Sequence, residues 1–138
     1  MSLFNIFNVS GSGMSAQTVR LNTTASNIAN AESVSSSSDQ TYRARHPVFE
    51  AELARAQGQQ SPAASVKVAG IVESDKPLLK EFSPSHPMAD ADGFIYKPNV
   101  NVMEEMANMI SASRSYQMNV QVADATKSML QQTLRMGK

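Results

Sequence analysis

The chain has 138 residues and a mass of 14.9 kDa, enough for one ordinary domain. Its 12 Lys plus Arg balance 12 Asp plus Glu, which argues against a nucleic-acid binder, and the absence of cysteine excludes disulfides, Cys-ligated metals and thiol catalysis. No apolar run approaches the roughly 18 residues that span a bilayer, and Met1 to Phe7 carries neither the basic segment nor the apolar core of a cleavable secretory signal.

The first unit, residues 1–33, reads as a helix. Phe7, Met14, Leu21 and Ile28 recur every seven residues, with Leu3, Thr18 and Ala25 at flanking spacings of three or four. That is the pattern of a seam against another helix. Gly11-Ser12-Gly13 interrupts it, and glycine inside a helix costs up to about 1 kcal/mol against alanine. The helix is therefore expected to bend or restart there, with Ser12 as N-cap.

The second unit, residues 34–100, is expected to be a small β-hairpin on an irregular stalk. Ser35 to Ser38 form a low-complexity loop. Thr41 to Phe49 and Val66 to Val72 alternate partially with a period of two, as short strands do, with Gln57 to Ser61 as their connecting loop. From Lys76 to Pro98 there are four prolines and the turn Asp90-Ala91-Asp92-Gly93, so that stretch should be extended and sparsely hydrogen-bonded.

The third unit, residues 101–138, reads as a long helix. Asn101 and Glu104 resemble an N-cap and its capping-box partner, and Gly137 is placed to end the helix. Val102, Met106, Met109, Ser113, Tyr116, Val120, Ala123, Lys127, Leu130 and Leu134 alternate spacings of four and three, and eight of these ten are apolar or aromatic. Val122, Met129 and Met136 form a further stripe on another face.

Charge sharpens this picture. Charged residues make up 17% of the chain, against about 25% in a typical soluble domain. Arg20 is the only charge from Met1 to Ala31, and Arg114 the only one from Met106 to Ala123. A helix with one face in water normally carries many charges there, so both helices are expected to be enclosed on more than one side. A helix of about 35 residues spans roughly 50 Å, longer than the about 37 Å diameter of a compact globule of this size. The expected fold is mainly α and elongated, with the N- and C-terminal helices paired as a coiled coil and a small β or irregular element between them.

Little in the sequence suggests catalysis, and no cofactor or metal site is expected. Asp90, Asp92 and Gly93 resemble a fragment of a calcium loop, but the glycine comes too early and the twelfth position is Asn101. His46 and His86 lack a nearby acid or second imidazole, and Glu104-Glu105 suit the first turn of a helix, where the dipole favours negative charge. Arg43 and Arg45 could bind phosphate, but Glu50 and Glu52 follow closely.

Two stretches go beyond pattern. Ser12-Gly13-Met14-Ser15-Ala16-Gln17-Thr18-Val19-Arg20-Leu21-Asn22, leading into Ala25-Ser26-Asn27-Ile28-Ala29-Asn30-Ala31, resembles the N-terminal signature of the bacterial flagellar axial proteins, the family of rod, hook and hook-associated subunits. The run Glu105-Met106-Ala107-Asn108-Met109-Ile110-Ser111-Ala112-Ser113-Arg114-Ser115-Tyr116-Gln117-Met118-Asn119-Val120 resembles that family's C-terminal signature. The short length and the pieces Asn30-Ala31-Glu32-Ser33, Tyr42-Arg43-Ala44-Arg45 and Pro98-Asn99-Val100 further resemble its basal-body rod members, in the proximal branch. Glu32-Ser33 stands where the wider family more often has Asn-Thr, and Met14 replaces the usual Leu.

The resemblance implies a structural subunit, not an enzyme. Such subunits are exported unfolded through the flagellar type III apparatus without a cleaved signal and assemble helically into the periplasm-crossing rod that transmits torque. The implied partners are other rod proteins, the inner-membrane ring and its rod adaptor, and the rod-capping protein. The helices of the axial core would pair along Phe7, Met14, Leu21 and Ile28 against Met106, Met109, Tyr116, Val120, Ala123, Leu130 and Leu134, while Asn27, Asn30, Asn119 and Gln121 hydrogen-bond to neighbouring subunits. Arg20 and Arg114 would each pair with a carboxylate or helix C-terminus, unless each snorkels to a surface or channel. In an isolated subunit both termini are expected to be largely disordered. The competing expectation is a soluble coiled-coil adaptor or secretion chaperone that never polymerises. A wall-degrading enzyme would need a carboxylate pair or nucleophile in a cleft, and the chain offers no convincing one.

Overall fold

Helix-forming sequence opens and closes the chain, and the computed structural model, which describes residues 3–53 and 64–137, places a long helix at each end. Helix α1 (Leu3–Ala29) leads to a hairpin of β1 (Arg45–Leu53) and β2 (Ala64–Glu73); a second hairpin, β3 (Leu79–Phe82) and β4 (Phe94–Lys97), precedes α2 (Val102–Met136). The fold is mainly helical with a small β middle. The expected loop at residues 57–61 lies outside the described residues.

α1 does not break at Gly11-Ser12-Gly13. Ser12 caps nothing: its Oγ donates to the Val9 carbonyl (2.9 Å) and accepts from the Val66 amide (3.1 Å), tying the helix to β2. Gly13 is there for a close approach, since a Cβ at that position would lie 2.9 Å from Asn119 Nδ2. α2 begins at the expected cap, with the Asn101 side chain accepting from the Met103 and Glu104 amides, but Glu104 does not close a capping box: its carboxylate lies 3.9 Å from Lys76 Nζ.

The first hairpin starts later than its two-residue alternation suggests, at Arg45 rather than Thr41, because side chains take the backbone donors there. The Ala44 amide donates to Asn99 Oδ1 (2.8 Å) and the Arg45 amide to Asn27 Oδ1 (2.9 Å). Val48 faces Gly70 and Phe49 faces Val68, so Ala69 is the extra residue of a bulge. The bond from Val66 to Ser12 and the pair exchanged between Arg45 and Asn27 lay this hairpin along α1.

The stretch from Lys76 to Pro98 is more ordered than its prolines suggest. They flank the strands β3 and β4 instead of interrupting them. Asp90 Oδ1 accepts from the Asp92 (3.0 Å) and Phe94 (2.8 Å) amides, and Gly93 adopts φ +81°. That conformation strains any residue with a Cβ. Phe82 and Phe94 meet edge to face at 5.2 Å, with Lys80 Nζ 4.0 Å from the Phe94 ring centre. Ser35 joins β4 through two backbone bonds with Tyr96, each 3.0 Å, so part of the serine run is held against the sheet.

The molecule is extended. Its accessible surface is 9643 Å², against about 7000 Å² for a compact monomer of this mass. Among the described residues the buried apolar side chains are only Ala16, Ala44, Ile95, Pro98 and Ala112. No helix is long and apolar enough to cross a membrane among the residues described.

Candidate assembly interface

Where the helices meet the β region, the joint is polar. Asn27 is fully buried, and its amide makes every hydrogen bond available to it. Nδ2 donates to the Arg45 carbonyl (2.8 Å) and to Glu105 Oε2 (3.0 Å); Oδ1 accepts from the Tyr42 hydroxyl (2.8 Å) and the Arg45 amide (2.9 Å). Asn99 completes the joint, donating to the carbonyls of Ser74 (3.3 Å) and Lys76 (2.7 Å) besides accepting from Ala44. One side chain thus fixes the end of α1, the start of β1 and the start of α2. Asn27 therefore has no capacity left for a neighbouring subunit. Asn30 donates to the Ser26 carbonyl of its own helix (2.8 Å).

The two helices run antiparallel, as Asn27 meets Glu105, Arg20 meets Asn108 and Gly13 meets Asn119. On α1 the residues Ser10, Gly13, Gln17, Arg20, Thr24 and Asn27 are buried or half-buried at spacings of three and four. On α2 the matching set is Glu105, Asn108, Ala112, Ser115, Asn119 and Thr126. Both sets are small or polar. They allow a close approach with little apolar surface to stabilise it.

The apolar positions expected to form this seam sit one residue further along. Met14, Leu21 and Ile28 follow Gly13, Arg20 and Asn27; Met106, Met109, Tyr116 and Val120 follow Glu105, Asn108, Ser115 and Asn119. One residue is a rotation of about 100° around a helix. Phe7, Met14, Leu21, Ile28, Met109, Val120, Ala123 and Leu130 are accordingly half-buried at the seam's flank, while Met106 and Tyr116 are exposed. Leu134, 66% exposed, lies in line with the seam, but the last turns of α2 outrun α1. The side of α2 turned away from α1 carries Met103, Ile110, Met118, Val122, Met129 and Met136, all exposed.

Arg20 Nη2 donates to Asn108 Oδ1 (3.0 Å), a neutral amide where a carboxylate or helix terminus was expected. Arg114 is exposed and has no ion-pair partner among the described residues. Reading the sequence missed the Asn27–Glu105 contact. The signal for it was an uncharged helix carrying a central Asn, and a pair of acids where the helix dipole explains either of them.

The amide of Phe94, ahead of smaller contributions from Asp92, Lys80 and Tyr96, holds the Asp90 carboxyl below its ordinary value. Desolvation opposes that shift without cancelling it.

Known families match this sequence at both ends. The family described as "Flagella basal body rod protein" matches residues 7–34, and that described as "Flagellar basal body rod FlgEFG protein C-terminal" matches residues 91–136. The flagellar basal-body rod protein FlgC of Yersinia enterocolitica is 49% identical over 138 residues, and that of Salmonella typhimurium strain LT2 is 46% identical, each alignment covering 100% of both chains. FlgC of Buchnera aphidicola subsp. Acyrthosiphon pisum is 40% identical over 136 residues, 97% of each chain. With both terminal helices matched and full-length relatives at this identity, the chain belongs to the FlgC family of flagellar basal-body rod proteins and is a structural subunit of the rod, not an enzyme.

Proposed function

We propose that this subunit takes its place in the rod by burying the outer apolar face of α2 against neighbouring subunits. The observation that carries this reading is the exposed row Met103, Ile110, Met118, Val122 and Met129 in a chain that buries so few apolar side chains of its own. Apolar surface on this scale marks an interaction site, and methionine suits a face that meets several non-identical neighbours. α1 and α2 act as an antiparallel coiled coil, supported by the seven-residue recurrence of Glu105, Ala112, Asn119 and Thr126. Residues 1–33 and 101–138 form the axial core, and residues 34–100 project from it as a β element. Head-to-tail contacts whose rotation does not close build a helical array able to carry torque.

Membership of the rod family supports the finer partners: the inner-membrane ring and rod adaptor at the base, other rod proteins alongside, and the rod-capping protein during growth. It also supports export in unfolded form through the flagellar type III apparatus, without a cleaved signal, to a rod that crosses the periplasm. A polar seam with little apolar burial suits that route, because the terminal helices of a free subunit order fully only among neighbours. Strong amide-exchange protection throughout residues 14–31 and 106–134 of the free subunit would contradict this.

The test of the interface is Ile110→Lys, at a residue 55% exposed in the subunit. The free chain is expected to fold as before, with stability within about 0.5 kcal/mol, while cells carrying it as their sole copy lose basal-body assembly and swimming. Normal rods from this variant would refute the reading.

A further inference from the structure

Glu105 is the only charged side chain buried among the described residues, at 3% exposure. Its Oε2 accepts from Asn27 Nδ2, whereas Oε1 has no hydrogen bond and the carboxylate no cation within ion-pair distance among those residues. It lines a cleft of about 330 Å³ at the joint between helices and hairpins, walled by Ala44, Pro77, Leu79 and Val100. Lys76 borders the cleft but lies 3.9 Å from the exposed Glu104. The residue is buried, but Oε1 opens onto the cleft, so the carboxylate presents a vacant charged acceptor to a cation that enters there. The apolar walls match the methylene stem of an arginine, and the carboxylate matches its planar fork.

Arg114 is the complementary fragment. It is the only charge between Met106 and Ala123, and it stands among Ile110, Met118 and Val122, the residues whose burial joins subunits in the reading above. Covering that face withdraws its guanidinium from water as well. The neighbour's α1 offers no carboxylate, since the first acid of the chain is Glu32. The other acids among the described residues are not buried and gain little from pairing. Nine helical residues separate Glu105 from Arg114, which puts them about 180° apart around α2. A bond between one copy's Arg114 and another's Glu105 joins the outer side of one subunit to the inner side of the next. Such a contact leaves both unused groups free to repeat it.

We infer that adjacent copies of this chain are linked by a salt bridge from Arg114 of one subunit to Glu105 in the cleft of the next. The inference rests on the proposed burial of the outer face of α2 and adds the partner and the residue that sets its register. Cells carrying R114E or E105Q as their sole copy are expected to form roughly tenfold fewer basal bodies or worse. R114K should recover part of the loss by restoring the charge without the fork. The double variant R114E/E105Q is expected to be no worse than the more severe single variant, because both remove one interaction.

A second measurement does not depend on tolerating a change at the buried residue. The chain has no cysteine, so E104C and R114C can be placed together at the mouth of the cleft and on the outer face. A short bismaleimide should then join subunits in isolated basal bodies into a ladder of self-linked multimers, absent for either single variant. Wild-type assembly by R114E, multiplying effects in the double variant, links only to another rod protein, or no ladder in assembled basal bodies would each overturn the inference. If the inference failed while Ile110→Lys still blocked assembly, the outer-face interface would stand without this salt bridge. Normal assembly by Ile110→Lys would instead remove the interface itself.

Discussion

The two sides of α2 are built on opposite principles. The side facing α1 is small and polar, with Glu105, Asn108, Ala112, Ser115 and Asn119 meeting the likes of Gly13, Arg20 and Asn27. The side facing away carries Met103, Ile110, Met118, Val122 and Met129. In a self-sufficient globule the arrangement would be reversed, with apolar groups inside and polar groups in water. Here directional hydrogen bonds fix how the chain's own parts meet, and non-directional apolar burial is kept for other chains. The subunit is therefore geometrically defined before it is energetically complete.

The comparison can be broken most severely at the joint. Asn27→Leu leaves Glu105, the Tyr42 hydroxyl and two backbone groups of Arg45 without a partner that the structure now supplies. Losses of this kind, with a carboxylate among the orphaned groups, amount to about 3–4 kcal/mol. Urea unfolding of the free chain, followed through amide signals of both hairpins, should lose its cooperative transition. A shift below about 1 kcal/mol would show that the joint is not the organising contact.

Gly13→Val probes the close approach along the seam. Its Cβ would meet the Asn119 amide at 2.9 Å, and overpacking typically costs about 1–3 kcal/mol. Lower rod yield with unchanged hairpin signals is expected. Gly11→Val is the control, because a Cβ there meets nothing within 4 Å, leaving only a helix-propensity effect. Equal yields for the two variants would remove Gly13 from the account. Tyr42→Phe, which deletes one donor to Asn27 Oδ1, should lower the same urea stability by about 1 kcal/mol.

The smallest effect lies in the second hairpin, outside both faces of α2. The Asp90 carboxyl is held below its ordinary value of 3.8, chiefly by the Phe94 amide. A depressed folded pKa means that its stabilisation is present above 3.8 and disappears as pH falls through the lower folded value. Amide shifts of Asp92 and Phe94 should therefore titrate with a midpoint below 3.8, with the rest of β3 and β4 following weakly. A midpoint above that value would contradict the assigned hydrogen bonds.

Much of this design is written in the sequence, but not all of it in the same way. The two long helices, the Asn101 cap and the turn at Asp90–Gly93 were legible because each has a local cause. The angular position of the seam was not. Heptad apolar residues imply a buried stripe, but they do not say whether α1 or another subunit buries it, and here the apolar stripe trails the seam by one residue. Gly13 read as a helix breaker because its compensation, a close neighbour at Asn119, lies more than a hundred residues away. The joint was hidden for the same reason: nothing local in Asn27 or Glu105 announces that each is the other's partner. β3 and β4 were obscured by flanking prolines, although the aromatic pair Phe82 and Phe94 was there to be read.

Methionine reactivity tests the reservation of the outer face most directly. Met103, Met118 and Met129 are 77%, 58% and 59% exposed in the subunit, and sulfoxide formation follows exposure. Peroxide footprinting of the free chain and of isolated basal bodies, read by mass spectrometry, should show these three oxidised readily in the free chain and roughly tenfold more slowly in the rod. Equal oxidation of Met118 and Met129 in both states would mean that the outer face stays open in the assembly, and would contradict the account.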